Sequence, residues 1–372
     1  MQPIATRVLP GRTGSRCTIA CAKGIMRGKR LSTLQMSSRN FTRQNKQVID
    51  WLLEYDQPSV RYHTLTGILD RKESDTEVRR AHSQIAKKGW ARDMLARQKP
   101  GGYWEPREIG DPNEKNLLKW MDFLYRPKYV STNWRALVLS DLGLTAKDRR
   151  IGKIADLFFK YKLQLRTSIN IFNDEVCIVG NTARMLSRFG YNDDFRVKKL
   201  FDRLIEDQKE DGGWHCFESE KGTLDSWEAL AAFDALPKSG RNSRIEQAIS
   251  RGAEFYLERK LFEEGRSRYS PWFRFHYPIH YYYDILVGLD LMTRFGYAGD
   301  KRLVPALEIL KKKRQADGTW LLDKVHPDLG RGSAYGMDVS HVKHLALEKE
   351  GKPSKWITMT ALRILKKVDE VS

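Results

Sequence analysis

From Gln47 onward the apolar positions recur with helical period in paired segments. Each pair has an apolar-periodic helix, a short turn carrying Gly, Asp or Pro, and a second helix whose start brings an aliphatic residue, usually after a basic one. The turns read ILDRKESDTEV, LGLTAKDRRI, FGYNDDFRV, LPKSGRNSRI, FGYAGDKRL and KEGKPSKWI, and their closing aliphatics are Val78, Ile151, Val197, Ile245, Leu303 and Ile357. These lie 73, 46, 48, 58 and 54 residues apart. The longest interval holds a polar, Pro-bearing stretch, Gly101–Lys128, and the 58-residue one holds an aromatic stretch, Tyr269–Tyr283, so both read as insertions on one plan. No run of alternating β-branched residues is bounded by hairpin turns. The pattern predicts an all-α fold of about six helical hairpins, in which each unit needs its neighbours to bury its apolar face.

A second repeat is superimposed on the first. Gln98-Lys-Pro-Gly-Gly-Tyr-Trp104, Gln208-Lys-Glu-Asp-Gly-Gly-Trp214 and Arg314-Gln-Ala-Asp-Gly-Thr-Trp320 each close a helix with a polar residue, a Gly turn and a Trp. The Trps are 110 and 106 residues apart, about two hairpins each. Gly can leave a helix through positive φ, and the Trp two positions later can fold back so that its indole N–H satisfies an orphan carbonyl. The three Trps are therefore expected to be structural.

Gln-x-x-x-Gly-x-Trp closing a helix resembles the QW repeat of the terpenoid cyclase and protein prenyltransferase superfamily. Two copies match, and the third carries Arg314 in place of Gln. The segments CIVGNTARML, GTLDSWEALAAF, HYYYDILVGLDLM and PSKWITMTALRILKKV also resemble prokaryotic squalene-cyclase-like repeat proteins of undefined chemistry. The resemblance implies an α/α toroid over residues 46–372, with inner helices near Asn133–Leu142, Cys177–Phe189, Thr223–Leu236, Asp284–Phe295 and Val339–Glu348 around a central cavity. It implies a protein that binds an isoprenoid or another apolar chain, with cyclase-like or prenyltransferase-like chemistry as the enzymatic reading.

Composition narrows the partners. Hydrophobic residues make up 41% and charged ones 30%, a globular balance. No segment approaches the roughly 18 uninterrupted apolar residues of a membrane span. Four Cys, two of them early (Cys17 and Cys21), leave no disulfide framework and point to a reducing, cytoplasmic setting. The net charge of +19 would suggest nucleic acid, but residues 1–45 hold nine basic residues and no acidic one, and the rest is interspersed with acids. Nucleic acid is therefore disfavoured, and the expected partner is an apolar small molecule or lipid. The basic N-terminal extension, residues 1–45, reads either as a targeting segment or as sequence upstream of a true start at Met26 or Met36, and is expected to lie outside the fold.

The acid motifs of the resembling cyclases, Asp-x-Asp-Asp and Asp-Asp-x-x-Asp, are missing, and Asn192-Asp193-Asp194 lies in a turn where capping accounts for it. Prenyltransferases hold zinc through an Asp-x-Cys pair and a later His. Asp225 matches that Asp, Trp227 stands in the Cys position, and His280 or Asp284 occupies the later helix. Cys216, with Cys177 before it, could supply the thiolate, so Cys216, Asp225 and His280 form a candidate zinc set with an open fourth position. Asp225, Asp284 and His280 are the catalytic candidates.

The insert Tyr269–Tyr283 holds eight aromatics in 15 residues. Its faces, Trp272, Phe273, Tyr281, Tyr282 and Tyr283, together with Trp227, could line an apolar tunnel and stabilise a carbocation, or could form a mini-core plugging the toroid mouth. Asp225 with Glu228, and Asp338 with His341 and His344, share helix faces that could pair acid with base. Cys216, Asp225, His280 and Asp284 are expected to converge at one mouth of the cavity. A non-catalytic lipid- or protein-binding toroid and a carbohydrate-active α/α barrel using Asp225 and Asp284 are the competing functions.

Overall fold

A computed structural model describes residues 40–105, 129–161, 175–216, 219–265, 269–280, 282–325 and 345–371. Among them there is no strand, and extended pairing is limited to isolated bridges such as Trp214 with Thr223. The helices are α1 Lys46–Leu52, α2 Pro58–Gly67, α3 Thr76–Gln84, α4 Gly89–Leu95, α5 Thr132–Asp141, α6 Arg149–Tyr161 and α7 Val176–Phe189, followed by α8 Phe195–Glu206, α9 Glu228–Ala235, α10 Ser243–Glu258, α11 Ile285–Arg294, α12 Val304–Lys312 and α13 Lys355–Asp369. The fold is all-α.

Two kinds of helix alternate. Those following the first five turns, such as α8, bury one stripe, Val197, Phe201 and Leu204, at helical spacing and leave the other face to water. Their partners are buried almost all round: in α7 the buried set includes Asn181, Thr182, Arg184 and Ser187 beside Val179, Met185 and Phe189. A helix buried on both sides yet carrying polar groups needs something polar to face. All six closing aliphatics of the repeat are buried.

The starts of α6 and α8, and of the 3-10 turn that leads into α12, are fixed by a local device that the repeat hides. Asp148, Asp194 and Asp300 each accept the backbone N–H of the residue two positions on, and that residue, Arg150, Arg196 or Arg302, folds its guanidinium back onto the same carboxylate. Cap and fork hydrogen bond are thus supplied by one Asp-x-Arg triplet.

The Gly turns and Trps behave as expected. Gly102, Gly212 and Gly318 adopt φ of 95°, 87° and 85°. Trp104, Trp214 and Trp320 each donate their indole N–H to the carbonyl ten residues back, Met94, Leu204 and Leu310, at 2.9, 2.7 and 2.8 Å. Gln98 and Gln208 reach on to the next outer helix, donating to the Arg150 carbonyl in α6 and the Ala248 carbonyl in α10. Each clip therefore staples two successive repeats.

Inner helices are linked pair by pair. Between α2 and α5, Ser59 donates to the Leu142 carbonyl at 2.6 Å and His63 meets the Asp141 carbonyl at 2.9 Å. Arg188 pairs with Asp141 between α7 and α5. A Cβ on Gly180 of α7 would lie 2.6 Å from the Glu228 carbonyl carbon, so α7 and α9 touch backbone to backbone. Arg294 grips Asp234 between α11 and α9 at 2.7 Å, and Arg363 grips Asp290 between α13 and α11 at 2.8 Å. Lys366 of α13 pairs with Asp70, just past α2. These contacts trace a cycle: α2, α5, α7, α9, α11, α13 and back to α2.

Three expectations need correcting. The expected inner helix Val339–Glu348 falls up to His344 outside the described residues, and the described part, 345–348, is not helical. The sixth inner position belongs to α13, because Gly351 at φ 71° breaks the chain and Ser354 caps a fresh helix by accepting from Ile357 N–H. The expected Thr223–Leu236 helix is shorter, a 3-10 turn Leu224–Ser226 leading into α9. The fold also reaches back before residue 46: Phe41 is in the core, and Asn45 is buried and accepts from Arg314 at 2.6 Å.

Candidate functional site

The cycle of helices encloses a cavity of about 420 Å³. All six inner helices line it, and His276 and Ile279 of the aromatic insert close part of it. Trp227, Ala231, Leu286, Val287, Trp356 and Met359 give apolar and aromatic wall. The rest is polar and includes a charged band: Asp141, Asp234 and Asp290, with Arg184, Arg188, Arg294 and Arg363.

Helix ends explain part of that band. Arg188 and Arg294 lie in the last turns of α7 and α11, where orphan carbonyls favour a cation. Burial would raise the Asp234 carboxyl, but Arg294 beside it brings the net position below the usual carboxylate range. His63 is driven down to about 3, first by burial and then by the Arg363 charge, so its imidazole is neutral in the wall. The sequence did carry a signal for this band: Arg188-Phe189-Gly190-Tyr191 recurs as Arg294-Phe295-Gly296-Tyr297, both at inner-helix ends.

Most of the residues expected at the site serve the insert instead. Asp284 is the N-cap of α11, accepting from Val287 N–H at 2.9 Å, and its second oxygen accepts the backbone N–H and Nδ1–H of His276 at 3.1 and 2.7 Å. Its partner is therefore His276, not His280. Asp225 is exposed and accepts the Trp272 indole N–H at 2.7 Å. His280 is buried against the rings of Tyr129 and Trp134, 5.3 and 5.4 Å away. Cys216 accepts the Cys177 backbone N–H at 3.4 Å, at the start of α7, with Ser226 Oγ at 3.8 Å.

Among the described residues, no group of three or more His, Cys, Asp or Glu side chains is placed to hold a metal ion. Cys216, Asp225 and His280 are thus not gathered into such a set. Of the expected aromatic wall, Trp227 lines the cavity, and Tyr281 lies outside the described residues. Trp272 is buried, Phe273 packs on Phe262 at 5.5 Å, the Tyr282 hydroxyl meets that of Tyr129 at 3.0 Å, and Tyr283 donates to the Leu261 carbonyl at 2.8 Å. The insert is a mini-core, the second of its two readings. Asp338, His341 and His344 lie outside the described residues.

The thiols differ from one another. Cys216 is shifted below the usual thiol range, chiefly because the Cys177 thiol hydrogen-bonds to it, and Cys177 is raised by the same contact and by burial. Glu228 is fully buried with neither oxygen hydrogen-bonded, and burial, reinforced by Cys216, pushes its carboxyl well above the ordinary range. No family model, curated protein or solved structure matches this chain.

Proposed function

We propose that the chain is an α/α toroid, related in plan to the terpenoid cyclases and prenyltransferases, that binds one isoprenoid or other apolar-chain molecule bearing a polar group inside its ring of inner helices. The observation that carries the reading is the divided wall of the cavity, apolar at Trp227, Leu286, Val287 and Met359 and ionic at the Arg–Asp band. Burying a chain against the first gains roughly 25 cal/mol per Å² of apolar surface, and the second offers partners for a polar end. A volume of about 420 Å³ lies within the range of small-molecule sites.

Binding is better supported than a cyclase-like or prenyltransferase-like reaction. A cyclisation started by protonation needs a free carboxylic acid, but Asp141, Asp234 and Asp290 are each engaged by an arginine, and Arg294 brings Asp234 below the usual carboxylate range. His63, at about 3, is too weak a base for proton abstraction near neutral pH. A carbohydrate-active reading keeps one observation in its favour, the combination of these carboxylates with the rings of Tyr62, Trp227 and Trp356 on one cavity.

Native mass spectrometry with solvent extraction of the purified chain separates these readings and reports zinc in the same spectrum. One apolar-chain molecule per protein is expected, lost in Ala231→Trp, which fills the cavity. An empty protein that farnesol and dodecanol fail to stabilise, but an oligosaccharide does, would transfer the site to the carbohydrate reading.

A further inference from the structure

Arg184 stands apart from the other arginines of the cavity. Arg188 has Asp141, Arg294 has Asp234, and Arg363 has Asp290. Arg184 is only 2% exposed, and it makes neither a hydrogen bond nor an ion pair. Its Nε and Nη2 are both buried without an acceptor. That pair is the side-on fork with which Arg363 holds the two oxygens of Asp290 at 2.9 and 2.8 Å. Among the described residues the guanidinium lies over the Trp227 ring, 5.0 Å from its centre.

A charged group buried without a hydrogen-bonded counter-ion is costly, and among the described residues no carboxylate hydrogen-bonds to Arg184. Glu228, on the neighbouring helix, feels the Arg184 charge but makes neither a hydrogen bond nor an ion pair with it, and burial pushes its carboxyl well above the ordinary range. Asp284, also on the lining, is taken up by His276 and the start of α11. Against the three arginine-paired carboxylates, the band carries four guanidiniums, and the surplus is Arg184.

We infer that Arg184 is the anchor for a single carboxylate carried by the cavity ligand, so that the bound molecule is an apolar-chain carboxylic acid whose head meets the Arg184 guanidinium and whose chain lies along Trp227, Leu286 and Val287. This rests on the proposed binding of an apolar chain and deepens it. One unpaired guanidinium fork fits the two oxygens of one carboxylate; a diphosphate would bring more acceptors and charge than one fork can take up.

Calorimetric titration with dodecanoate, dodecanol and dodecyl phosphate tests the assignment on the full chain and on Arg184→Met and Arg184→Lys. Wild type should bind dodecanoate about tenfold or more tightly than dodecanol, in line with a charge-assisted hydrogen bond. Arg184→Met should bind the two alike, with dodecanol affinity retained, and Arg184→Lys should fall between. Without ligand, Arg184→Met should melt at or above the wild-type temperature, because an uncompensated charge has gone. Equal binding of acid and alcohol by wild type overturns the anchor but leaves the apolar-chain reading intact. Tighter binding of dodecyl phosphate than of dodecanoate overturns the carboxylate assignment. A large fall in the melting temperature of ligand-free Arg184→Met makes the residue structural and also overturns it. Binding of none of the three probes removes the apolar-chain reading and this inference together.

Discussion

Arg314 donates through Nη2 to Asn45 Oδ1 at 2.6 Å, joining residues 269 positions apart. In the other two clips the equivalent residue is a Gln that reaches the next outer helix. Here the next outer element is α1, from the opposite end of the chain. A Cβ on Gly318 would strike Val48 of α1, as one on Gly102 would strike Lys153 of α6 and one on Gly212 the Arg251 carbonyl of α10. The departure of the third clip from the Gln pattern is thus where a late repeat packs on α1.

Asn45→Ala should therefore lower stability by about 1 to 3 kcal/mol, since it removes a buried amide that accepts from Arg314 and donates to the Phe41 carbonyl. Chemical denaturation of Asn45→Ala, Arg314→Ala and the double variant gives the coupling directly. Additive effects would mean that the contact does not hold the ends together.

Trp214→Ala should cost about 3 to 5 kcal/mol, the usual range for a fully buried aromatic. Gly212→Ala should be at least as harmful as an ordinary surface change is harmless, because the position needs φ of 87° and its Cβ would lie 2.4 Å from the Arg251 carbonyl oxygen. Wild-type melting with lost ligand binding in Trp214→Ala would make the residue part of the site and not of the scaffold.

Two buried groups tilt stability with pH in opposite senses. His63 ordinarily titrates at 6.5 and in the fold at about 3, so the unfolded chain takes up a proton that the folded chain refuses. Its contribution is complete above about 6.5 and is lost as pH falls toward 3. Glu228 is raised above its ordinary 4.5, so its contribution is present below 4.5 and lost as pH rises through the raised value. Glu228→Gln should accordingly stabilise the protein at pH near 8 and flatten the alkaline side of a melting-temperature profile. An unchanged alkaline slope would show that the carboxyl ionises without penalty.

Asp284→Asn should be tolerated better than Asp284→Ala. The first keeps an oxygen for the Val287 N–H but puts an NH2 where His276 meets the other oxygen; the second loses the cap as well and strands His276, for about 2 to 4 kcal/mol. Thermal melts of the two variants decide this, and equal losses would argue against the cap.

Iodoacetamide should alkylate Cys216 before Cys177, because the Cys177 thiol and backbone N–H both favour a Cys216 thiolate. Peptide mass spectrometry at several pH values reads the order. Preferential modification of Cys177 in the wild type would reverse the assignment.

Where the sequence misled, the reason was direction. The spacing of Asp225, His280 and Asp284 fits a shared helix-end cluster, but spacing says nothing about which neighbour a carboxylate takes. Trp272 claims Asp225 and His276 claims Asp284, both from the insert, because its buried ring N–H groups need acceptors. The Arg–Asp band was equally written in the chain, in the recurring Arg-Phe-Gly-Tyr, yet each member there reads as ordinary helix-end polarity until its partner on another helix is known.

Helical period, Gly at positive-φ turns and Trp two residues beyond are local properties, and they determined from the sequence alone that the chain is all-α, that it repeats, and that Trp104, Trp214 and Trp320 clip the repeats together. What only the tertiary structure decided is which polar residues remain unsatisfied after packing. Arg184 and Arg188 are four apart on one helix and chemically identical; one meets Asp141 from α5 and the other meets no acid at all, because pairing across a ring depends on where six helices converge and not on the spacing within any one of them.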